Sequence, residues 1–182
     1  MKIKLICISV LMVISQSIFS QKLISKTGHI WFYSHTPIED IEAHNRQAVS
    51  ITDPETGTVQ FTMLIKSFEF QKKLMQEHFN ENYMESDTYP KASFNGKIEN
   101  ISSIDFNKDG EYNVQVSGDL TIHGVTKKIS TMGNITVKSG VTIATAKFIV
   151  LPEDYNIAIP DLVKDRIAKE IEVNVDITYN PN

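Results

Sequence analysis

Apolar and polar residues alternate along most of the chain after residue 25. A period of two places successive side chains on opposite faces of a β-strand, so each alternating run predicts a strand with one buried face. The alternating runs are 29–33, 49–52, 59–66, 92–98, 112–120, 129–137, 141–150 and 171–179. Turn-forming residues separate several of them, at 53–57, 107–110, 123–124 and 139–140. About eight strands with short connections predict an all-β fold of up-and-down antiparallel topology.

Two segments depart from this alternation and have helical spacing instead. The first carries apolar residues at Phe70, Leu74, Met75, Phe79 and Tyr83. This spacing predicts a helix over 71–80 that extends at most to residue 84, since Pro90 prevents its continuation. A second short helix is predicted to start near Pro160 and to include Val163 and Ile167.

The alternation alone does not distinguish a β-sandwich from a β-barrel. Small residues stand at several positions predicted to face inward, namely Gly96, Gly118, Gly133, Ala144 and Ala146. Small inward residues leave the bore of an eight-stranded barrel partly unfilled, wide enough for one slim ligand. Glycines in strands also mark bulges and bends, which the closure of any barrel requires. Both interpretations remain open on the residues alone.

Phenylalanine and methionine are concentrated around the first predicted helix and its neighbouring strands. Both side chains adapt well to a flexible apolar ligand, although ordinary core packing is the favoured explanation on the sequence alone. The candidate ligand-binding residues are Phe32, Phe61, Met63, Phe70, Met75, Phe79, Phe94, Val116, Leu120 and Phe148.

The strand pattern also predicts which side chains point into the bore. The residues expected to point inward are Phe61, Met63, Phe94, Val116, Leu120, Ile135 and Phe148. The residues expected to point outward are Gln60, Thr62, Asn95, Gln115 and Lys147. A register error of one residue would invert a whole set, so these assignments are strict tests of the strand prediction.

The first twenty residues have the pattern of a secretory signal peptide. Lys2 and Lys4 precede an apolar run over 5–14, and small and polar residues follow up to Ser20. The apolar run is too short to span a bilayer, so we expect cleavage after Ser20 rather than an uncleaved anchor. The predicted organisation is a signal peptide over 1–20 and a single soluble domain over 21–182, located in the periplasm or secreted.

The net charge and the cysteine content limit the classes of binding partner and the kinds of chemistry that are expected of this protein. Cys7 is the only cysteine of the chain, so the mature protein has neither a disulfide nor thiol chemistry. Removing Lys2 and Lys4 changes the formal net charge from −4 to −6. An acidic domain is a poor candidate for binding nucleic acid or for electrostatic adhesion to anionic lipid. We also expect no stable insertion into a membrane after cleavage.

No catalytic, metal or cofactor motif is complete. The segment 105–110 matches the first half of an EF-hand loop, but the twelfth position is Val116 where a glutamate is required, so a hairpin turn is the favoured interpretation. His78 lacks a second histidine at helical spacing, and neither a G-x-S-x-G nor a P-loop sequence occurs. We therefore predict no enzyme activity, no catalytic residue, no metal site and no cofactor. His78 is expected at the barrel mouth, and His123 in the turn before Gly124.

Four segments resemble the YceI-like family. They are GHIWF at 28–32, MQEHFNENYMESDTYPKASFNGKI at 75–98, LTIHGVTK at 120–127 and DYNIAIP at 154–160, of which the second and third are the specific ones. The resemblance covers nearly all of the chain after residue 20. It implies a lipocalin-like antiparallel barrel, closed near one end by its helices, with an isoprenoid chain in the bore. It implies no catalytic residue.

The resulting hypothesis is an exported protein, monomer or homodimer, that sequesters or carries an apolar lipid with a long isoprenoid-type tail in the bore of its barrel. Two alternatives belong to other functional classes. One is a hydrolase or isomerase that acts on a lipid in the same bore, with His78 or His123 as the base. The other is an interaction protein with a solid core and no ligand.

Overall fold

The strands of this protein form one antiparallel sheet that closes on itself. The computed structural model describes residues 21–181, and the predicted signal peptide over 1–20 lies outside the described residues. The strands are β1 Leu23–His35, β2 Asp40–Thr52, β3 Thr58–Leu64, β4 Glu69–Phe70, β5 Lys91–Ile98, β6 Gly110–Ile122, β7 Val125–Lys138, β8 Val141–Val150 and β9 Ile171–Tyr179. Their order in the sheet is β1-β9-β8-β7-β6-β5-β3-β2-β4, and an additional pairing of β1 with β2 closes the barrel. The short β4 pairs with β2 alone, so the barrel has eight strands and the predicted all-β fold is confirmed.

The predicted directions of the side chains are confirmed strand by strand. All the residues predicted to point inward line the bore, including Phe61 of β3 and Ile135 of β7. All those predicted to point outward are exposed to solvent, including Gln60 of β3 and Gln115 of β6. One face of each strand is buried and the other is exposed, so apolar and polar residues alternate and the alternation indicates which way each side chain points.

The inward-facing small residues have two different roles. Ala144 and Ala146 line the bore and leave space within it, as the first interpretation predicted. Gly96 and Gly118 are direct partners in an unbroken pairing of β5 with β6, so they do not mark a bulge. The ring of Phe94 lies over both glycines and occupies the space that their missing side chains leave. This pair therefore accommodates an aromatic side chain of the protein itself.

The first predicted helix is present, with a change of winding halfway. Helix α1 covers Lys73–His78, and a π-helical turn over Phe79–Tyr83 continues it. The amide of Met84 donates to the carbonyl of Phe79 at 2.8 Å, which is the wider spacing of a π-helix. No helix in residues 21–181 is long and apolar enough to cross a membrane.

The prediction of a second helix near Pro160 is wrong. Residues 161–166 form successive turns, with hydrogen bonds from the amide of Val163 to the carbonyl of Pro160 and from Arg166 to Val163. These bonds span three residues and do not continue, because the amide of Ala168 donates instead to the hydroxyl of Ser34 on β1. A 3₁₀ turn over Pro152–Tyr155 lies upstream, directly after β8.

A buried hydroxyl network connects β9 to β2 at the end of the barrel opposite α1. The hydroxyl of Tyr179 lies 2.6 Å from Oγ of Ser50 and 2.8 Å from Oγ1 of Thr52, and all three residues are buried. Burial raises the pKa of Tyr179 above its ordinary value of 10.0. The hydroxyl therefore stays neutral at physiological pH and satisfies two other buried polar groups.

Replacing Tyr179 with phenylalanine should lower the free energy of unfolding by about 1–3 kcal/mol, because Ser50 and Thr52 lose their buried partner. Urea titration measures this difference, and Tyr112→Phe is the control, since its hydroxyl makes only long, exposed bonds. Because the folded pKa of Tyr179 lies above the unfolded value, wild-type stability should fall as the pH rises above about 10. A Tyr179→Phe protein as stable as wild type would show that the network contributes nothing.

Candidate ligand-binding cavity

The bore of the barrel contains an apolar cavity in two adjoining parts. The upper part has a volume of about 510 Å³ and lies beneath α1 and the segment 152–171. The lower part, of about 110 Å³, lies deeper between the strands. The two parts adjoin, since six residues line both of them: Ile30, Met63, Ala92, Leu120, Phe148 and Val173. A volume of this size is within the range of small-molecule binding sites.

The structure places all the candidate ligand-binding residues on the wall of this space. The upper part contains Phe32, Phe70, Met75 and Phe79, and the lower part contains Phe61, Phe94 and Val116. Met63, Leu120 and Phe148 contact both parts. Their position is therefore established, whereas their contact with a ligand stays a prediction.

An aromatic cluster holds α1 against the barrel. Phe79 follows α1, and its ring centroid lies 5.0 Å from that of Phe70 and 5.5 Å from those of Phe32 and Phe68. Aromatic pairs at these separations contribute beyond the area that they bury. The cluster forms part of the core and part of the cavity wall, so core packing of these rings is established, whereas their contact with a ligand stays a prediction.

The segment between β8 and β9 supplies part of the wall that the sequence analysis did not identify. Ile157, Ile159, Val163, Ile167 and Ile171 line the upper cavity. The two-residue spacing of the first pair and the four-residue spacing of Val163 and Ile167 were visible in the sequence. That pattern indicated an apolar face, but it did not indicate that the face covers the bore.

Three charged side chains meet where the upper cavity opens. Glu39 follows β1, and one of its carboxylate oxygens accepts a hydrogen bond from Nζ of Lys72 at 3.2 Å. The other oxygen lies 3.6 Å from Nη1 of Arg166. The Glu39 side chain is only 19% exposed, and all three residues line the cavity. We call Glu39, Lys72 and Arg166 the mouth triad, because it ties together the three segments around the opening.

The histidines do not form a catalytic group with the cavity. His29 and His44 form a pair, with Nε2 of one 3.0 Å from Nδ1 of the other, but neither lines the cavity. Of the histidines in residues 21–181, only His78 lines the cavity, and its side chain is exposed. His123 is buried in the turn between β6 and β7, with a φ of 49°. Its Nδ1 lies 3.1 Å from the carbonyl oxygen of Tyr155, and its Nε2 lies 3.5 Å from a carboxylate oxygen of Glu85. His123 therefore shapes its turn, as the sequence indicated.

The carboxylates of the segment that resembles half of a calcium loop both accept backbone hydrogen bonds. Oδ1 of Asp105 accepts a hydrogen bond from the amide of Asn107 at 3.0 Å. Oδ1 of Asp109 accepts one from the amide of Ser139 at 2.8 Å. The part of the chain that the structure describes contains no group of three or more potential metal ligands. Asp105 thus shapes the connection between β5 and β6, and Asp109 ties that connection to the turn between β7 and β8.

The cavity itself offers little polar chemistry. Beyond the mouth triad, its polar lining residues in the upper part are Ser34, His78 and Tyr83. Burial raises the pKa of Tyr83, so its phenol remains a neutral hydrogen-bonding group. The lower part has hydroxyl and amide side chains in its lining but no charged residue, so the arrangement suits the burial of an apolar chain.

Comparison with known proteins relates this architecture to a family. The model of the YceI-like domain matches residues 23–179. No match was found among curated proteins.

Several solved structures have a similar fold. A polyisoprenoid-binding domain from Saccharophagus degradans, implicated in plant cell wall breakdown, is 16% identical, with 88% of this chain and 98% of that chain covered and a TM-score of 0.77. BcnA from Burkholderia cenocepacia is 16% identical, with 84% and 96% covered and a TM-score of 0.69. The YceI protein of Campylobacter jejuni is 19% identical, with 100% and 91% covered and a TM-score of 0.58. At such identities the likeness shows the fold alone.

Proposed function

The chain belongs to the YceI-like domain family, as its sequence motifs predicted, and on that premise we propose that it is a binding protein for an isoprenoid-type lipid. The observation that carries the proposal is the pair of adjoining apolar cavities, of about 510 and 110 Å³, inside the barrel. The polyisoprenoid-binding domain from Saccharophagus degradans, which has the same fold, supports a prenyl chain as the guest.

Burial of the tail supplies the binding energy in this proposal. Each CH₂ group transferred from water into an apolar site contributes about 0.8 kcal/mol. A long prenyl tail therefore binds tightly without any specific polar contact. The apolar residues that line both parts of the cavity, among them Met63 and Phe148, allow one tail to extend from the opening into the lower bore.

The proposed role is that of a carrier or buffer outside the cytoplasm. The N-terminal pattern of Lys2, Lys4 and the apolar run over 5–14 supports export to the periplasm or beyond. Intact-mass analysis of the exported fraction tests this part. A mature chain that begins near Gln21 is expected, and a mass that retains Lys2 and the apolar run would contradict export with cleavage.

The decisive experiment is native mass spectrometry of the protein purified from its own host, followed by organic extraction and identification of the lipid. We expect a bound apolar lipid with a long tail that is released on unfolding. A protein that carries no lipid from its host, and that takes up no prenyl lipid added in detergent, would contradict the proposal and favour a ligand-free interaction protein.

A hydrolase or isomerase in the same bore would depend on His78, the one cavity-lining histidine of residues 21–181. Proton transfer requires a partner within hydrogen-bond reach, and the structure gives His78 no side-chain partner. Replacing His78 with glutamine should therefore leave the lipid content unchanged, since burial of the tail dominates binding. Extraction and mass spectrometry of the variant measure this. A folded His78→Gln protein without lipid would instead show that a specific contact of the His78 side chain with the lipid head group is required for binding.

A further inference from the structure

A pair of histidines on the outer wall of the barrel joins two neighbouring strands. His29 lies on β1 and His44 on β2, and Nε2 of His29 is 3.0 Å from Nδ1 of His44. The two residues are 15 positions apart in the sequence, so no local motif indicates the pair. Both residues are partly buried, and the His44 side chain is 34% exposed. Neither residue lines the cavity, so the pair is separate from the proposed lipid site.

Further contacts hold both imidazole rings in place. The ring of Trp31 stacks on that of His29, with centroids 4.4 Å apart, and lies 6.5 Å from that of His44. The two imidazole rings are themselves stacked, with an angle of 26° between their planes. Nε2 of His44 lies 3.5 Å from a carboxylate oxygen of Glu42. Rings that are already held in this way lose little conformational freedom when they bind a ligand.

The contact with Glu42 selects the nitrogen of His44 that keeps a lone pair. A carboxylate favours a hydrogen on the nitrogen that faces it, so Nε2 of His44 is protonated and Nδ1 is not. Nε2 of His29, which faces that lone pair, carries a hydrogen in one neutral tautomer and a lone pair in the other. In the second tautomer two imidazole nitrogens present lone pairs 3.0 Å apart, and a metal cation satisfies both of them.

We propose that His29 and His44 bind a divalent copper ion, with Glu42 as the carboxylate that orients His44. Imidazole nitrogens bind late first-row metals, and Cu²⁺ is bound the most tightly of these divalent ions. With metal–nitrogen bonds of about 2.0 Å, the separation of 3.0 Å corresponds to an angle of about 95° at the metal, close to that of a square-planar Cu²⁺ site. A histidine ligand that donates its other N–H to a carboxylate is the usual arrangement at metal sites.

Water and the surrounding charges complete the proposed site. Residues 21–181 contain no group of three or more potential metal ligands, so water molecules occupy the remaining coordination positions. Apart from His44, the charged side chains that act on His29 are those of Glu42, Asp176 and Arg46. Asp176 is the direct partner of His29 in the pairing of β1 with β9. Two carboxylates against one guanidinium leave a net negative charge beside the pair, which favours a cation.

Fluorescence titration of the purified protein with copper(II) chloride tests the site, because Trp31 is the only tryptophan of the chain and stacks on a proposed ligand. The titration is done at about pH 7.5, where histidine is ordinarily neutral. Cu²⁺ should quench the fluorescence and saturate it at one ion per chain. Glu42→Gln should weaken binding roughly tenfold, and His29→Gln and His44→Gln should each weaken it further. His35→Gln is the matched control, since His35 is an exposed histidine further along β1.

Pulsed electron paramagnetic resonance of the copper complex gives a second measurement that does not depend on the tryptophan. The spectrum should show two imidazole ligands in wild type and one in His44→Gln. Quenching that does not saturate, or that His35→Gln weakens as much as His29→Gln does, would overturn the site and show adventitious adsorption of the ion. The lipid content of all these variants should equal that of wild type, so failure of the copper site leaves the lipid-binding function intact.

Discussion

Replacing Met63 with aspartate should empty the cavity or prevent folding. Met63 lies on β3 at the junction of the upper and lower cavity, where its neighbours across the bore are apolar. An unpaired carboxylate in such a site costs several kcal/mol, and either the lipid or the native fold is lost to relieve it. Lipid extraction from the purified variant and its urea unfolding curve measure the two outcomes separately.

Gln60→Asp is the control for this experiment, because Gln60 lies on the same strand, is exposed and lines neither part of the cavity. The same charge is then added three positions away, on the opposite face of β3. Gln60→Asp should retain both the lipid and the stability of wild type, and Met63→Leu should do so as well. A folded Met63→Asp protein that carries its full complement of lipid would refute the placement of the tail.

The strands were predictable because one physical cause produces both the sequence pattern and the structure. A barrel wall is apolar on one face and polar on the other, so alternation along β6 or β8 reports directly which side chains face the bore. This is why Val116 and Phe148 were identified correctly from the sequence. The two-residue period did not predict closure into a barrel, because side chains alternate along a strand whether or not β1 pairs with β2.

The segment over the opening was predicted less well, because its structure depends on distant partners. Val163 and Ile167 have helical spacing, yet the amide of Ala168 is bound by Ser34, far away in the sequence. The mouth triad likewise joins Glu39 to two residues on other segments. Local propensity is weak in short segments, and tertiary contacts override it. The mouth triad is therefore visible only in the folded chain.

The glycines of β5 and β6 show a further limit of prediction from the sequence. Both interpretations offered from the sequence treated Gly96 and Gly118 separately from the aromatic residue nearby. In the structure the two glycines face each other, and the Phe94 ring lies over them. The absence of two side chains and the presence of one ring are thus a single packing feature.

Replacing Gly118 with alanine should therefore destabilise the protein by about 2–3 kcal/mol or more. A methyl group there would stand 2.5 Å from the backbone oxygen of Asn95 and 2.8 Å from Cζ of Phe94, and it would also collide with the Cα of Gly96. Two of these three contacts are with backbone, which cannot move without disturbing the pairing of β5 with β6. The difference in unfolding free energy is measurable by urea titration.

Gly140→Ala tests whether the loss of a flexible glycine alone explains such a result. Gly140 lies in the turn between β7 and β8 with a φ of 81°, and nothing lies within 4 Å of an added methyl group. Its replacement should cost only about 1–2 kcal/mol, from the unfavourable backbone conformation. Replacing Phe94 with the smaller leucine should not restore the stability of the Gly118→Ala protein, because the contacts of the added methyl group with the backbone remain. A rescued double variant would show that the ring, rather than the approach of the two strands, requires glycine at this position.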